Sequence, residues 1–205
     1  MIRNIIFDMG NVLLRFEPHI FMERLGVAPE DRPLLYREIY HSREWVQMDH
    51  GTLREEAAAE IIARRVPERL RDTVDQLVNR WDRPIIEVEG MAELAAELKA
   101  MGYKIYLLSN AGLRQHDYWP RVPASQYFDG KLISADVRLL KPDYAIYRLL
   151  CDKFSLDPAE CFFIDDNPQN IEAAYCCGIN GAVFHDDVAV LRRDLNAAGV
   201  PVRQG

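Results

Sequence analysis

Short apolar runs and helical patterns alternate along most of the chain. The apolar run at 3–8 ends in an acid and precedes the turn signal Gly10-Asn11, which predicts a buried strand that stops at Asp8. Strands that alternate with helices of connecting length form a mostly parallel sheet covered on both faces, so the pattern predicts an α/β fold. Further strands are predicted at 104–108, 131–134, 161–164 and 182–184, and helices at 89–101, 142–154, 168–177 and 188–198.

Between residues 17 and 82 helical patterns follow one another without a strand signal. Thr52-Leu53-Arg54-Glu55 has the spacing of a capping box, which predicts a helix that starts there. The first strand cannot bury its apolar side chains alone, so it must join the sheet formed by the later strands. We therefore predict a core at 1–15 and 86–205, interrupted by an all-helical insertion at 16–85. Helices of the insertion are predicted at 19–25, 30–40, 42–48, 52–65 and 67–80.

Polar residues with chemical potential follow the predicted strands at their carboxyl ends. Ligands bind at this edge of an open parallel sheet, so residues far apart in the chain are expected to meet there. Each alone has an ordinary explanation in a turn or helix cap; Asn167 and Pro168, for example, suit the first turn of a helix. Their joint placement favours a site. The residues are Asp8 after the first strand, Ser109 and Asn110 after the second, Lys141 after the third, and Asp165 and Asp166 after the fourth.

Three carboxylates gathered in a partly dry crevice repel one another unless a cation lies among them. Lys141 is one candidate, and a hard divalent ion is the other. Carboxylate and carbonyl oxygens without nearby His or Cys ligands favour Mg²⁺ over zinc. With both cations in place the site is nearly neutral and can accept an anion. A phosphoryl group is the anion most consistent with Ser109, Asn110, Lys141 and Mg²⁺.

The composition narrows the possible partners and the compartment. A formal net charge of -7 argues against general binding to nucleic acid or to an anionic membrane surface. No apolar stretch reaches the ~20 residues of a membrane span, and Asp8 interrupts the first apolar run, so we expect a cytoplasmic protein. Cys176-Cys177 lacks the spacing of a metal or redox motif, and we interpret these residues as small buried thiols.

Four ordered motifs resemble those of the haloacid dehalogenase superfamily, in the branch with a helical cap inserted after the first motif. This resemblance extends from residue 2 to about 198 and implies a Rossmann-like core. Within the superfamily, the sequence also looks like the bacterial alpha-D-glucose-1-phosphate phosphatases. The motifs are Asp8-Met9-Gly10-Asn11-Val12, Leu107-Leu108-Ser109-Asn110, Lys141-Pro142 and Phe163-Ile164-Asp165-Asp166-Asn167.

The resemblance implies nucleophilic catalysis by Asp8, through an aspartyl-phosphate that water then hydrolyses. By the same resemblance, Mg²⁺ is expected on Asp8, the main-chain carbonyl of Gly10 and Asp166, with Asp165 bound directly or through water. Ser109, the backbone of Asn110 and Lys141 are expected to bind the transferring phosphoryl group.

Gly10 departs from the superfamily pattern. Most phosphatases of this superfamily have a second Asp there as general acid and base, a function that contributes about 10²–10⁴ in rate. Three explanations remain open: a good leaving group such as an anomeric sugar oxygen, a weak enzyme, or an acid supplied by Asp49, His50 or His116. Asp49 is also the candidate substrate contact from the cap, although its loop is equally consistent with a plain turn. We interpret four aromatic residues of the insertion as cap core rather than as substrate contacts, namely Trp45, Trp81, Tyr36 and Tyr40.

Three functions follow from these observations. The leading one is a Mg²⁺-dependent phosphatase of a small phosphorylated metabolite, with a sugar phosphate such as a hexose 1-phosphate as the expected substrate. The second is a metal-independent 2-haloacid dehalogenase, against which the pair Asp165-Asp166 argues. The third is a weakly active or non-catalytic protein that binds a phosphorylated ligand, suggested by Gly10. The pattern does not predict an oligomeric state.

Overall fold

Five parallel strands form one sheet in the computed structural model, which describes residues 1–203. They are β1 Asn4–Phe7, β2 Lys104–Ser109, β3 Gly130–Ile133, β4 Cys161–Asp165 and β5 Asn180–Val183. Their order is β3-β2-β1-β4-β5, so β1 lies at the centre of the sheet. All four residues of β1 are buried, which explains why its sequence is a nearly continuous apolar run. The five predicted strands are confirmed with small shifts at their boundaries.

The segment between β1 and β2 begins with helices that have a hydrophobic core of their own. Side chains of this core include Leu35, Ile39, Ile62 and Leu77, none of which is exposed. No described residue from 16 to 85 belongs to a strand. We propose this segment as the cap. Its helices are α1 Pro18–Arg24, α2 Arg32–Leu35, a π-helix at Tyr36–Tyr40, α3 Arg43–Asp49, α4 Glu55–Ala63, a 3₁₀ turn at Glu68–Leu70 and α5 Arg71–Asn79.

The remaining helices cover both faces of the sheet. They are α6 Met91–Ala100, α7 Gln115–Tyr118, α8 Ser134–Val137, α9 Tyr144–Phe154, α10 Pro168–Cys176 and α11 Val188–Ala197. Along β1, Ile5 and Phe7 join the hydrophobic cluster that contains α6 and α11, whereas Ile6 joins the cluster that contains α9 and α10. This alternation is the period of a strand, and it confirms the predicted α/β class with a Rossmann-like core.

Two predicted helix starts are wrong. The hydroxyl of Thr52 donates to the carbonyl of Gln47 at 3.2 Å and does not cap α4, which begins only after Arg54. Pro142 does not open α9; instead Asp143 accepts a hydrogen bond from the amide of Ala145 at 2.9 Å and is the N-cap. At α9 a hydrogen bond accepted by a short polar side chain sets the boundary, which hydrophobic spacing does not reveal, whereas Arg54, the N-cap of α4, makes no side-chain capping hydrogen bond.

The interpretation of the paired cysteines as buried thiols is also wrong in part. Cys176, at the last position of α10, is exposed, and Cys177 is half-buried. Cys151 and Cys161 are buried, as expected for small apolar side chains.

Within residues 1–203, every helix falls short of the length and apolar character that a membrane crossing requires.

Candidate active site

The carboxyl ends of the three central strands bring together the motif residues predicted from the sequence. Asp8 follows β1 directly, and its amide donates to the carbonyl of Ile164 in β4 at 2.8 Å. Ser109 is the last residue of β2 and Asp165 the last residue of β4, so each is held by the sheet itself. The three side chains are buried, with Asp165 wholly inaccessible. The parallel register therefore gathers residues separated by more than half of the chain.

Lys141 lies between two of these carboxylates. Its Nζ is 2.8 Å from Oδ1 of Asp8 and 2.6 Å from Oδ2 of Asp165. Burial disfavours the charged form of Lys141 and lowers its pKa. The two neighbouring carboxylates have the larger combined effect, so the pKa of the ammonium group is raised overall. The side chain is only 5% exposed, so Lys141 is a fixed internal cation.

Asn110 holds Lys141 in place through its side chain. Its Nδ2 donates to the carbonyl of Lys141 at 2.9 Å, and its Oδ1 accepts from the amide of Lys141 at 2.8 Å. The side-chain amide of Asn110 is therefore engaged in positioning, which leaves the backbone as its route to a phosphate. Both residues line the same cavity as Ser109.

Asp165 and Asp166 have different surroundings although they are adjacent. Asp165 accepts hydrogen bonds from the amide of Asn167 at 2.8 Å and from Nδ2 of Asn170 at 3.0 Å, in addition to Lys141. Asp166 has one long contact, 3.4 Å from Nδ2 of Asn11, and is the more open of the two. The amides and Lys141 thus saturate Asp165, while Asp166 keeps oxygen lone pairs free.

The three carboxylates fit a divalent cation. Asp8, Asp165 and Asp166 each offer an oxygen atom, and these atoms lie within 4.8 Å of one another. Burial raises the pKa of Asp8 to about 6; the charge of Asp165 adds to this rise, and Lys141 opposes it. Burial and the charge of Asp165 also raise the pKa of Asp166. The single positive charge of Lys141 does not balance three carboxylates. The remaining negative charge lies on oxygen atoms, which are the ligands that Mg²⁺ prefers.

A cavity of about 310 Å³ opens above these strand ends, and the insertion forms its opposite wall. Rings from the insertion form a cluster there, in which Phe16 lies 5.0 Å from Trp81 and 5.5 Å from Trp45 between ring centroids. Trp45 and Trp81 were expected in the cap core; they pack against that core and also line the cavity. Tyr40 is half-buried and packs against the core of the cap as expected, whereas Tyr36 is exposed.

Of the three acids considered as replacements at Gly10, only Asp49 lines the cavity. His50 is outside it. His116 is on the outer side of α7, where its Nε2 lies 2.9 Å from Oδ1 of Asp136. Burial raises the pKa of Asp49 to about 7; Glu55 and Asp8 add to the rise, and a hydrogen bond from Trp45 opposes it.

Several cavity residues were not predicted, and Glu55 is the most informative of them. It is buried, and its Oε1 accepts a hydrogen bond from the amide of Arg114 at 3.0 Å. Gly112 allows the carboxylate of Glu55 to come this close to the core, because a Cβ at position 112 would lie 2.4 Å from Oε1 of Glu55. No sequence pattern marks such a contact between the insertion and the core. The other cavity residues missed are Leu14, Phe16, Met48, Val78, Ala111, Gly112, Arg114, Gln115, Tyr118 and Asn170.

Hydrogen bonds hold the insertion against the core beside the cavity. The hydroxyl of Ser134 donates to the carbonyl of Asp49 at 2.5 Å. Next to it, Gly51 has a φ of +71°, and a Cβ there would lie 2.1 Å from the carbonyl oxygen of Ala135. The hydrogen bond from Ser134 and the close approach of Gly51 to Ala135 therefore fix the backbone of Asp49 near the strand ends.

Comparison with known families decides the assignment of the chain. The family described as haloacid dehalogenase-like hydrolase matches residues 2–178. The chain belongs to this family. It is a hydrolase with the motif order and the sheet of the haloacid dehalogenase-like enzymes.

This haloacid dehalogenase-like hydrolase is similar at low identity to proteins with different reactions. It is 25% identical over 217 residues to drimenol cyclase drtB of Aspergillus calidoustus, a match that covers all of this chain but 38% of the relative. It is 25% identical to a phosphorylated carbohydrates phosphatase of Thermotoga maritima, covering 85% of this chain and 81% of that protein. It is 24% identical to (S)-2-haloacid dehalogenase 4A of Burkholderia cepacia, in a match that covers 87% of this chain and 81% of that protein.

A solved structure shares the fold of this hydrolase. The haloacid dehalogenase family enzyme bt-2542 of Bacteroides thetaiotaomicron, in complex with magnesium and inorganic phosphate, superposes with a TM-score of 0.65 at 20% identity. The match covers 89% of this chain and 94% of that chain.

Proposed function

We propose that this hydrolase is a Mg²⁺-dependent phosphatase that acts on a small phosphorylated metabolite through an aspartyl-phosphate on Asp8. The observation that carries the proposal is the arrangement of Asp8, Asp165, Asp166 and Lys141 at the floor of one cavity. A carboxylate nucleophile, an internal cation and a group of carboxylate oxygens that can hold a metal ion are the parts that phosphoryl transfer needs.

Asp8 is the nucleophile in this proposal. Its oxygen attacks phosphorus while the phosphorus–oxygen bond to the leaving group breaks, and water later cleaves the phosphoryl group from Asp8. Lys141 neutralises charge on the phosphoryl oxygens, and the hydroxyl of Ser109 and the backbone of Asn110 bind the same oxygens. Ser109 and Lys141 are held rigidly by the strand end and by Asn110, so little reorganisation is needed during the reaction.

The residues that would hold Mg²⁺ are Asp8, the carbonyl of Gly10, Asp166 and Asp165. The metal ion supplies positive charge that screens the nucleophile from the phosphate and stabilises the transferring group. Asp166 is the better direct ligand, since Asp165 is already saturated by Lys141, Asn167 and Asn170.

For the substrate we propose a sugar phosphate such as a hexose 1-phosphate. A cavity of about 310 Å³ is at the small end of ligand sites, and its wall combines aromatic faces with polar groups. Apolar faces of a sugar ring pack on aromatic side chains, while Asp49, Arg114 and Gln115 offer partners for hydroxyl groups. The phosphatase from Thermotoga maritima, which acts on phosphorylated carbohydrates, supports the same substrate class.

Phosphate release from a panel of phosphosugars, measured with Mg²⁺ and with EDTA, tests the proposal. We expect phosphate release in the presence of Mg²⁺. The rate of release should fall on the order of 10³-fold after the metal is removed and should recover when Mg²⁺ is added back. The same preparations are assayed for halide release from a 2-haloacid. Halide release that survives EDTA, or binding of phosphosugars without turnover, would contradict the proposal.

A further inference from the structure

The phosphatase reaction requires a proton donor that the strand ends do not provide. The oxygen that leaves phosphorus must be protonated unless it departs as a stable anion, and Gly10 has no side chain to supply the proton. Asp8, Asp165 and Asp166 are assigned to the nucleophile and the metal. The donor must therefore come from the remaining groups at the cavity, which are Lys141, Arg114, Tyr118, Glu55 and Asp49.

Three of these groups are poor donors. Lys141 is paired with two carboxylates, which stabilise its protonated form. Nη2 of Arg114 is 2.7 Å from Oδ1 of Asp82, and a guanidinium does not lose its proton in a protein. Burial raises the pKa of the Tyr118 phenol well above its usual value, so its proton is held too tightly for efficient transfer near neutral pH.

Glu55 has a structural task. Its Oε1 accepts from the amide of Arg114 at 3.0 Å and lies against the bare Cα of Gly112. This contact joins the start of α4 to the loop that follows β2. The carboxylate of Glu55 is therefore already engaged in positioning this loop against the cap.

Asp49 has the surroundings of a proton carrier. It is the last residue of α3, where the helix dipole disfavours negative charge. Burial raises its pKa most, and the charges of Glu55 on α4 and of Asp8 at the end of β1 add to the rise. Its backbone carbonyl is fixed by Ser134 at 2.5 Å, so its side chain is held at the wall opposite the nucleophile.

We infer that Asp49 is the general acid and base of this enzyme, placed on the cap instead of at Gly10; the inference rests on the proposed phosphatase function. As Asp8 bonds to phosphorus, the leaving oxygen takes the proton of Asp49 together with the electron pair of the broken bond. The Asp49 carboxylate then accepts a proton from water as the water oxygen bonds to phosphorus. The bond to Asp8 breaks, its electron pair returns to the Asp8 carboxylate, and Asp49 is protonated again.

The first-turnover rate of Asp8 phosphorylation in Asp49→Asn tests this role with two kinds of substrate. A sugar phosphate esterified at a primary hydroxyl has an alkoxide leaving oxygen that needs a proton, whereas an aryl phosphate such as p-nitrophenyl phosphate has a phenolate that leaves unaided. We expect the rate to fall about 10²–10⁴-fold for the sugar phosphate and less than about 10-fold for the aryl phosphate. An equal loss for both substrates would overturn the inference.

Gly10→Asp provides the matching rescue. A Cβ at Gly10 would meet only the Cβ of Phe16, at 3.8 Å, so a carboxylate can be built there. In the double variant Gly10→Asp, Asp49→Asn we expect the sugar-phosphate rate to recover at least tenfold over Asp49→Asn alone. Absence of any recovery, in a double variant that still phosphorylates Asp8 with the aryl substrate, would count against a proton-transfer role.

Glu55→Gln is the matched control because it removes a second cavity carboxylate without removing the proposed donor. The variant should change the first-turnover rates with both substrates by similar factors. A fall in rate confined to the sugar phosphate would identify Glu55 as the proton donor and overturn the inference. Asp49→Ser is examined alongside Asp49→Asn, with circular dichroism to verify that each variant is folded. Wild-type enzyme that releases no phosphate from either substrate would instead contradict the proposed function itself.

Discussion

The two walls of the cavity are built in different ways. Residues on the sheet side are fixed by strand ends and by hydrogen bonds; Asp165, for example, is wholly buried and contacts Lys141, Asn167 and Asn170. Aromatic residues on the cap side, such as Phe16 and Trp45, are held by packing of rings whose centroids lie 5.5 Å apart. Directional contacts fix atoms for chemistry, while packed rings set the shape of a pocket. Changes at the sheet side should therefore affect every substrate alike, and changes at the cap side should alter the ranking of substrates.

The largest effect is expected for Asp8→Asn. Removal of the nucleophile should lower phosphate release by on the order of 10⁴-fold or more for every substrate, because no other cavity carboxylate has its position. The matched control is Asp152→Asn, which changes an exposed carboxylate of α9 and should leave the rate unchanged. If Asp8→Asn retained Mg²⁺-dependent turnover of any one substrate, the sheet side would not have the uniform role described above.

Lys141→Met is expected to have the next largest effect. The substitution keeps most of the length of the side chain but removes the charge that lies 2.8 Å from Asp8 and would meet the phosphoryl oxygens. We expect kcat to fall about 10²–10³-fold for all substrates. Lys153→Met, at an exposed position of α9, is the control. A loss that varied strongly between leaving groups would place Lys141 in substrate selection instead.

Trp45→Ala should have a smaller and selective effect. It removes a ring from the cap wall without touching the sheet side, so we expect KM to change by about 10-fold for some substrates and little for others. Tyr36→Ala removes an exposed ring from the same insertion and should leave the ranking intact. Kinetic constants across a phosphosugar panel measure the difference. Uniform losses for Trp45→Ala would remove the distinction between the two walls.

A further effect concerns the stability of the metal-free protein rather than its kinetics. Burial raises the pKa of Asp8 to about 6, above its unfolded value, so the folded state binds the extra proton between these two values. The contribution of Asp8 to the free energy of unfolding should then fall as pH rises from about 4 to 6, by at most about 3 kcal/mol. Above about pH 6 this contribution to the free energy of unfolding no longer changes with pH.

Denaturant unfolding of wild type and Asp8→Asn in EDTA measures this contribution. The variant should gain stability relative to wild type as pH rises, and Mg²⁺ should stabilise wild type more at about pH 8 than at about pH 5. A difference between the two proteins that stays constant with pH would show that the buried carboxylate is not strained in the folded state.

The sequence predicted the sheet side of the site better than the cap side for a physical reason. Asp8, Ser109 and Asp165 follow or end strands whose apolar runs are visible in the chain, and the parallel order of those strands determines where their ends meet. Phe16 and Trp45, in contrast, belong to a helical insertion that has a hydrophobic core of its own. Whether a ring there faces the core of the cap or the cavity depends on packing that a single sequence does not encode locally.

Glu55 illustrates the same limit. Its contact with the amide of Arg114 joins residues 59 positions apart, across two separately packed parts of the chain, and depends on the absence of a side chain at Gly112. The hydrophobic pattern around Glu55 predicts an ordinary first turn of a helix. The start of α9 was missed for a related reason, since the local hydrogen bond accepted by Asp143 determines it.

Trapping of the phosphoryl group on Asp8 tests the proposed chemistry most directly. Excess enzyme with Mg²⁺ is mixed with a substrate labelled in its phosphoryl group, quenched in acid during the first turnover, digested and analysed by mass spectrometry. The proposed mechanism predicts that label appears on the peptide containing Asp8 before free phosphate and then decays at the rate of phosphate release. Release of phosphate in the first turnover without label on Asp8 would contradict it.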